Sequence, residues 1–349
     1  MFSSAFIQLG SDGNTTLSEI RKMYESLEVT EFFGLFAYAT QSGLRAFEFE
    51  FGEGFWEATP TRWLFGIDYG RTQPAALRRM LDKSNAEIKI FDGDWLVEQD
   101  GFIPRHDFHA KLSVLKNEPE KKLGAVIGSG NFSSNGLRKS IEAGATVQLS
   151  SSEPDCRFEL FELLENSEKL WSGATPLTSI IDEYERRWSD SLSVTNGDLP
   201  DPDEVEVDDG DYVWIEAGYV TKNRGEFSPG NQIDLPRGMC RYFGFALEED
   251  RSPNTIIGSV DFVTPDGAPH QRNLRLGNNM MEKITLPIPE QCGLEMYDGK
   301  ILTFRRDNNR YFINALETDD FERVFGHRLD QIFGMGSGRR YGLIPKTPA

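Results

Sequence analysis

Three short groups of residues carry the side chains with chemical potential. His109 stands two positions before Lys111; Gly128-Ser129-Gly130-Asn131 follows about twenty residues on, and Glu142 comes after that. An imidazole can attack phosphorus or donate a proton. An ammonium is a point charge for phosphate oxygens. A Gly/Ser/Asn loop offers backbone N–H donors to an anion. Together these groups suffice to hold a phosphodiester and attack it without a metal. His106, three residues before His109, reads as a rim or surface residue.

The elements that must position these groups are legible as patterns. His109 to Leu115 alternates and predicts a strand, and Leu123 to Ile127 predicts its neighbour ahead of the Gly/Ser/Asn loop. Ile141 to Leu149 predicts a third strand, which carries Glu142. Upstream, Phe33 to Thr40, Arg62 to Tyr69 and Ala86 to Asp92 read as strands. Gln73 to Ser84 has helical spacing, with Pro74 near its start. Cys156 to Leu170 and Leu177 to Trp188 read as amphipathic helices. The alternation predicts an α/β domain over residues 1–190, a mixed sheet flanked by helices.

The pattern His-x-Lys followed by Gly-Ser-x-Asn resembles the half-site of the phospholipase D superfamily. The longer run His-Ala-Lys-Leu, Gly-Ser-Gly-Asn-Phe-Ser and Ile-Glu-Ala is similar to its nuclease branch. One departure is informative. The superfamily's full signature has an Asp five residues after the Lys, where this chain has Lys116. The nuclease branch often lacks that Asp, so the departure leans towards a nuclease. The resemblance implies roles: His109 as nucleophile or acid, Lys111 and Asn131 on the non-bridging oxygens, and Ser129 supporting the loop. It implies that Glu142 accepts from the second nitrogen of His109; the alternative is an exposed strand carboxylate.

Composition bounds the reading. A chain of 349 residues can hold two domains. No apolar run is long enough to span a bilayer, and the N-terminus shows no signal peptide. Cys156, Cys240 and Cys292 lie far apart without metal-type partners and read as free thiols in a reducing cytoplasm. No metal motif and no nucleotide-binding loop is present, so neither metal nor cofactor is expected. The net charge of −19 argues at first against a nucleic-acid partner, but it is unevenly spread. Residues 191–209 carry seven acidic groups and no basic ones, whereas residues 210–349 carry 19 acidic and 17 basic groups.

Residues 191–210 therefore read as an acidic linker, either a spacer or a segment that lies in the cationic site until substrate displaces it. Residues 211–349 show short strands separated by turns: Tyr212 to Val220, Gly238 to Leu247, Thr255 to Phe262, Lys283 to Pro287 and Lys300 to Phe304, with a short helix at Asp320 to Phe325. This predicts a mainly β domain. Its position, and the segment Gly338-Arg339-Arg340-Tyr341-Gly342, resemble the B3-like DNA-recognition pseudobarrel that follows a phospholipase-type domain in some restriction endonucleases. The resemblance implies DNA contacts from Lys222, Asn223 and Arg224 in one arm, from Arg272, Asn273 and Arg275 in another, and from Arg339. Each could read a base edge, touch a phosphate or be a solvated charge.

Phospholipase-type chemistry needs two His-x-Lys units about one phosphate. His106, His270 and His327 lack a Lys two residues on, so one chain supplies half a site. The expectation is a homodimer that cuts double-stranded DNA through a phosphohistidine, as a sequence-specific, metal-independent restriction endonuclease, with room for a helicase-type ATPase and a cognate methyltransferase as partners. The competing enzyme reading is a phosphodiesterase acting on lipid or another small diester, although no membrane-seeking segment supports it.

Overall fold

A computed structural model of the chain describes residues 2–10, 13–149, 157–192, 212–220, 228–248, 251–278, 281–329, 331–335 and 339–344. They fall into two compact units, Met1–Ser191 and Leu192–Ala349. The acidic segment 198–209 and the residues Lys222, Asn223 and Arg224 lie outside the described residues.

The first unit runs β1 (Phe2–Leu9), α1 (Thr16–Leu27), β2 (Glu31–Phe36), α2 (Gln41–Phe51), α3 (Glu53–Ala58), β3 (Thr61–Phe65), α4 (Pro74–Leu81), β4 (Ala86–Ile90), α5 (Gly93–Leu96), β5 (Lys111–Asn117), β6 (Lys122–Gly128), β7 (Ile141–Leu149), α6 (Arg157–Gly173), β8 (Thr175–Pro176) and α7 (Leu177–Leu192). Its eight strands form one sheet in the order β1-β7-β6-β5-β2-β3-β4-β8. Strands β2, β3 and β4 are parallel, and every other pairing is antiparallel. This is the mixed α/β sheet with helices that the alternation predicts.

Local chemistry fixes the helices. Thr15 caps α1, accepting from Ser18 N at 3.0 Å while Ser18 Oγ accepts from Thr15 N at 2.8 Å. The buried stripe Leu17, Ile20, Met23 and Leu27 follows helical period. It settles where Gly124 leaves room on β6: a Cβ there would lie 2.5 Å from Met23 Sδ. The sheet is apolar on both faces, as a mixed sheet covered by helices must be. Phe32, Phe47, Trp56, Trp63 and Phe132 form an aromatic cluster, with neighbouring ring centroids 4.9–6.0 Å apart. Phe33, Leu35, Leu64, Phe108, Leu112 and Trp171 build a separate core cluster.

Two expected strands end early. The runs from Phe33 to Thr40 and from Arg62 to Tyr69 leave the sheet at Phe36 and Phe65. Ala37, Ala39 and Ile67 are buried in the loops beyond, where the first run keeps only an isolated bridge from Ala39 to Phe132, so these apolar residues record burial more than sheet pairing. Strand β5 likewise starts at Lys111, so His109 precedes the strand. The expected elements include none of β1, α1 and α2.

The second unit contains β9 (Tyr212–Glu216), β10 (Gln232–Leu235), β11 (Ile256–Val263), β12 (Pro269–Leu276), β13 (Glu282–Thr285), β14 (Ile301–Asp307), β15 (Arg310–Leu316), α8 (Thr318–Phe325), β16 (Gln331–Gly334) and β17 (Arg340–Ile344). Nine strands pair in the order β10-β13-β12-β11-β15-β14-β9-β17-β16. No ladder among the described residues joins β10 to β16, so the sheet is an open half-barrel. Its concave core holds Ile215, Leu235, Phe243, Phe262, Leu274 and Phe304.

The expected strand from Gly238 to Leu247 is corrected. It is a 3-10 turn at Met239–Arg241 followed by irregular chain. Gly238 and Gly244 take φ values of 92° and 80°, which break an extended run. The buried Glu282 carboxylate accepts from Gly238 N at 2.7 Å and Cys240 N at 2.6 Å, satisfying the turn's amides. Cys240, Tyr242 and Phe243 make the segment apolar because they fill the core. No helix among the described residues is long and apolar enough to cross a membrane.

Candidate active site

The chemistry-bearing residues of the first unit come to one edge of its sheet. Phe36 on β2 pairs with Phe65 on β3 and with Lys111 on β5, so the C-terminal ends of two parallel strands meet the start of β5. The end of β6 pairs with the start of β7, Gly128 opposite Gly144. On the other side of β7, Glu142 pairs with Gln8 of β1.

His109 is exposed because its neighbour is anchored. Phe108 is buried and stacks on Phe91 at 5.0 Å, and its amide donates to Asp68 Oδ2 at 2.8 Å. With Phe108 fixed inwards, the next side chain projects from the edge. Lys111 is half-buried, and its Nζ donates to the His109 carbonyl at 3.0 Å. Burial pushes the Lys111 pKa down, opposed by Glu142 and assisted by the Arg71 guanidinium. The ammonium thus lies within the fields of both groups.

Asn131 is held by the residue that follows it. Phe132 is fully buried, with ring centroids 5.2 Å from both Phe36 and Trp63. Its backbone is tied on both sides: Phe132 N donates to Tyr38 O at 3.2 Å, and Thr40 N donates to Phe132 O at 2.9 Å. Gly130 is dictated by close approach, since a Cβ would lie 2.2 Å from the Gly136 carbonyl oxygen. Asn131 Oδ1 is buried and has no hydrogen-bond partner, a costly state for an amide oxygen.

Glu142 meets Ser129, not His109. Ser129 Oγ donates to Glu142 Oε2 and accepts from Ala143 N at 3.1 Å, while Ser129 N donates to Ala143 O at 3.0 Å. No hydrogen bond joins Glu142 to His109 among the described residues, which corrects the expected orienting contact. The carboxylate is instead locked onto the loop that carries Asn131. Ser129 is therefore the hinge between β7 and that loop. His106 is exposed.

Asp68 is the residue that pattern reading overlooks. It follows β3 in the loop Gly66-Ile67-Asp68-Tyr69-Gly70 and is buried, holding Phe108 N through one oxygen while Oδ1 has no partner. Burial pushes its pKa up, and His109 lies near enough to pull it down in part. A glycine-flanked acid at the C-terminal end of a parallel strand is the signal that could have found it.

The second unit distributes its expected contacts unevenly. Alternate residues of a strand point to opposite faces. Asn273 and Arg275 share the outward face of β12, whereas Arg272 belongs to the face of the buried Leu274 and Leu276. The single arm expected from Arg272, Asn273 and Arg275 is thus split. Arg272 donates to the Gln271 carbonyl at 3.0 Å, Asn273 Oδ1 accepts from Ser259 Oγ at 3.1 Å, and Arg275 reaches Gln232 Oε1 at 3.2 Å. Arg339 is engaged within its own unit. Its guanidinium donates to the carbonyls of Glu216 at 3.3 Å, Ala217 at 3.2 Å and Asp234 at 2.7 Å, bridging the end of β9 to β10. It ties the half-barrel together and does not face outwards.

No family model and no curated protein matches the chain. Solved structures similar to it include NucT from Helicobacter pylori, at 9% identity over 50% of this chain and 98% of that one, with a TM-score of 0.34. Nuc from Salmonella typhimurium, a phospholipase D family member, is 14% identical over 50% of this chain and 98% of its own, with a TM-score of 0.33. Yeast tyrosyl-DNA phosphodiesterase is 14% identical over 65% of this chain and 56% of its own, with a TM-score of 0.29.

Proposed function

We propose that this protein is a phospholipase D-type phosphodiesterase that cuts DNA, a metal-independent restriction endonuclease whose second unit selects the sequence. The observation that carries the reading is the convergence on one sheet edge of an exposed imidazole, a half-buried ammonium and the locked loop of Asn131. His109 attacks phosphorus and forms a P–N bond as the bond to the leaving oxygen breaks. A second imidazole gives its proton to that oxygen, then takes one from water as the water attacks phosphorus and releases His109. Lys111 and the loop around Asn131 hold the non-bridging oxygens, where charge builds in the transition state.

The second imidazole is His109 of the partner subunit. The outer face where β1, β7 and β6 meet supports a dimer of this kind: Ile7, Leu9 and Ile141 are 64%, 67% and 78% exposed, and Ile127 joins them. Leu9 pairs directly with Ile141, and the patch borders Ser129 and Glu142. An apolar face beside a half-complete site fits a second copy of the chain.

Incubating the pure protein with supercoiled plasmid in EDTA tests the reading. Nicking or linearisation is expected with the parent and none with His109→Ala. Strict Mg²⁺ dependence, or equal cleavage by both proteins, would overturn it.

A further inference from the structure

Arginines of the first unit mostly face carboxylates, as a strongly acidic protein would dictate. Arg62 meets Glu168, Arg79 meets Glu48 and Arg105 meets Asp92. Arg71 does not. It is exposed, and among the described residues no carboxylate pairs with it. Its guanidinium lies instead over the Tyr69 ring, 5.8 Å from the centroid. Tyr69 is 53% exposed and sits at φ 56°, a left-handed conformation costly for a side chain of this size.

The loop that imposes this conformation is rigid. Gly66 N donates to Phe36 O at 3.3 Å, and Thr72 Oγ1 donates to Gly66 O at 2.5 Å. Trp188 Nε1 donates to Gly70 O at 2.7 Å, and Tyr184 Oη to Thr72 O at 2.5 Å. Two further bonds tie the loop to the segment that carries His109: Phe108 N to Asp68 Oδ2, and Tyr69 Oη to Asp107 Oδ1 at 3.2 Å. The loop leaves β3 at the same edge as Lys111, and the Lys111 ammonium feels the Arg71 charge. Arg71 thus stands within electrostatic reach of the Lys111 ammonium, which Glu142 faces from the other side of the site, and the loop's hydrogen bonds hold the guanidinium there.

We propose that Arg71, propped by Tyr69, binds the phosphate next to the scissile one, forming a flanking-nucleotide subsite. The proposal rests on the phosphodiesterase reading and extends it to a polymeric substrate. Lys111 sits beside His109 and serves the reacting phosphate. Arg71 stands one loop further along the edge, where a neighbouring phosphate of the same strand would run. A planar guanidinium stacked on an aromatic ring suits a phosphate with a sugar beside it. A lone diester has no second phosphate to offer such a cation, whereas a nucleotide chain does.

The test uses full-length protein and four chromogenic esters. They are the p-nitrophenyl ester of thymidine 5′-phosphate with and without a 3′-phosphate, and that of thymidine 3′-phosphate with and without a 5′-phosphate. In the parent, the extra phosphate of one pair should raise kcat/KM about tenfold, the scale of a charge-assisted contact. Arg71→Gln should abolish that gain and Arg71→Lys should keep part of it. Lys169→Gln, an equal charge change in an exposed pair with Glu165, should keep it all. The subsite is refuted if the parent shows no gain on either pair, or if Arg71→Gln keeps the full gain. A different failure is a parent no more active on the four esters than His109→Ala; that removes the phosphodiesterase reading, and the subsite with it.

Discussion

Glu48 is the first place to perturb, because a buried charge there supports the site from behind. It lies on α2 with its side chain 3% exposed, and Arg45, Arg79 and Lys83 all bond to it. Burial alone would raise its pKa, but hydrogen bonds and charge from Arg79 and Lys83 win and bring it from 4.5 to about 2. At ~1.4 kcal/mol per tenfold change in proton affinity, that gap is about 3 kcal/mol. The folded pKa is the depressed one, so the contribution is complete above pH 4.5 and is lost as pH falls towards 2. Glu48→Gln removes the anion that Arg45, Arg79 and Lys83 share, with Glu53 left to Lys83, and should cost about 3 kcal/mol at pH 7, in the range for a broken buried pair. At pH 3 the difference from the parent should shrink to under about half of that. The damage should reach the site, because α2 packs Gly43 on the Phe132 carbonyl, where a Cβ would lie 2.1 Å away. Urea unfolding read by hydrogen exchange in residues 41–51 measures the effect in the first unit alone. A parent–variant gap that is equal at pH 7 and pH 3, or well under 1 kcal/mol at pH 7, would refute the reasoning.

Two other perturbations probe the site and its proposed partner. Ile141→Asp places a charge in the exposed patch and should give a folded, monomeric and inactive protein; sedimentation showing that the fully active parent is itself a monomer would sink the dimer. Burial lowers the Lys111 pKa and Glu142 raises it, so kcat/KM should decline with rising pH below the usual lysine value of 10.5. Glu142→Gln should move that decline to lower pH still, and an unmoved or upward-shifted limb would show that Lys111 is not the group being titrated.

The sequence alone determined what depends on near neighbours. A His and a Lys two positions apart beside an alternating run must emerge together at the start of a strand, and a Gly/Ser/Asn loop must follow the next one. The mixed α/β class of the first unit and the β character of the second are written in the same periodicities. Even the split between Arg272 and Asn273 was implicit in the period of two. Tertiary structure decided what depends on which strands become neighbours. Only the order β6-β5-β2-β3 brings the loop after β3 to His109, so the glycines around Asp68 mark a turn in the sequence without showing that Asp68, Tyr69 and Arg71 lie at the site. Apolar runs overstated strands at Phe33 to Thr40 and Gly238 to Leu247, because burial and pairing both select apolar residues. Arg339 illustrates the same limit for charge: an arginine in sequence is a charge available to anything, and only the fold shows that three backbone carbonyls claim it. Side-chain types fix the chemistry within reach, and long-range pairing fixes which groups are near enough to perform it.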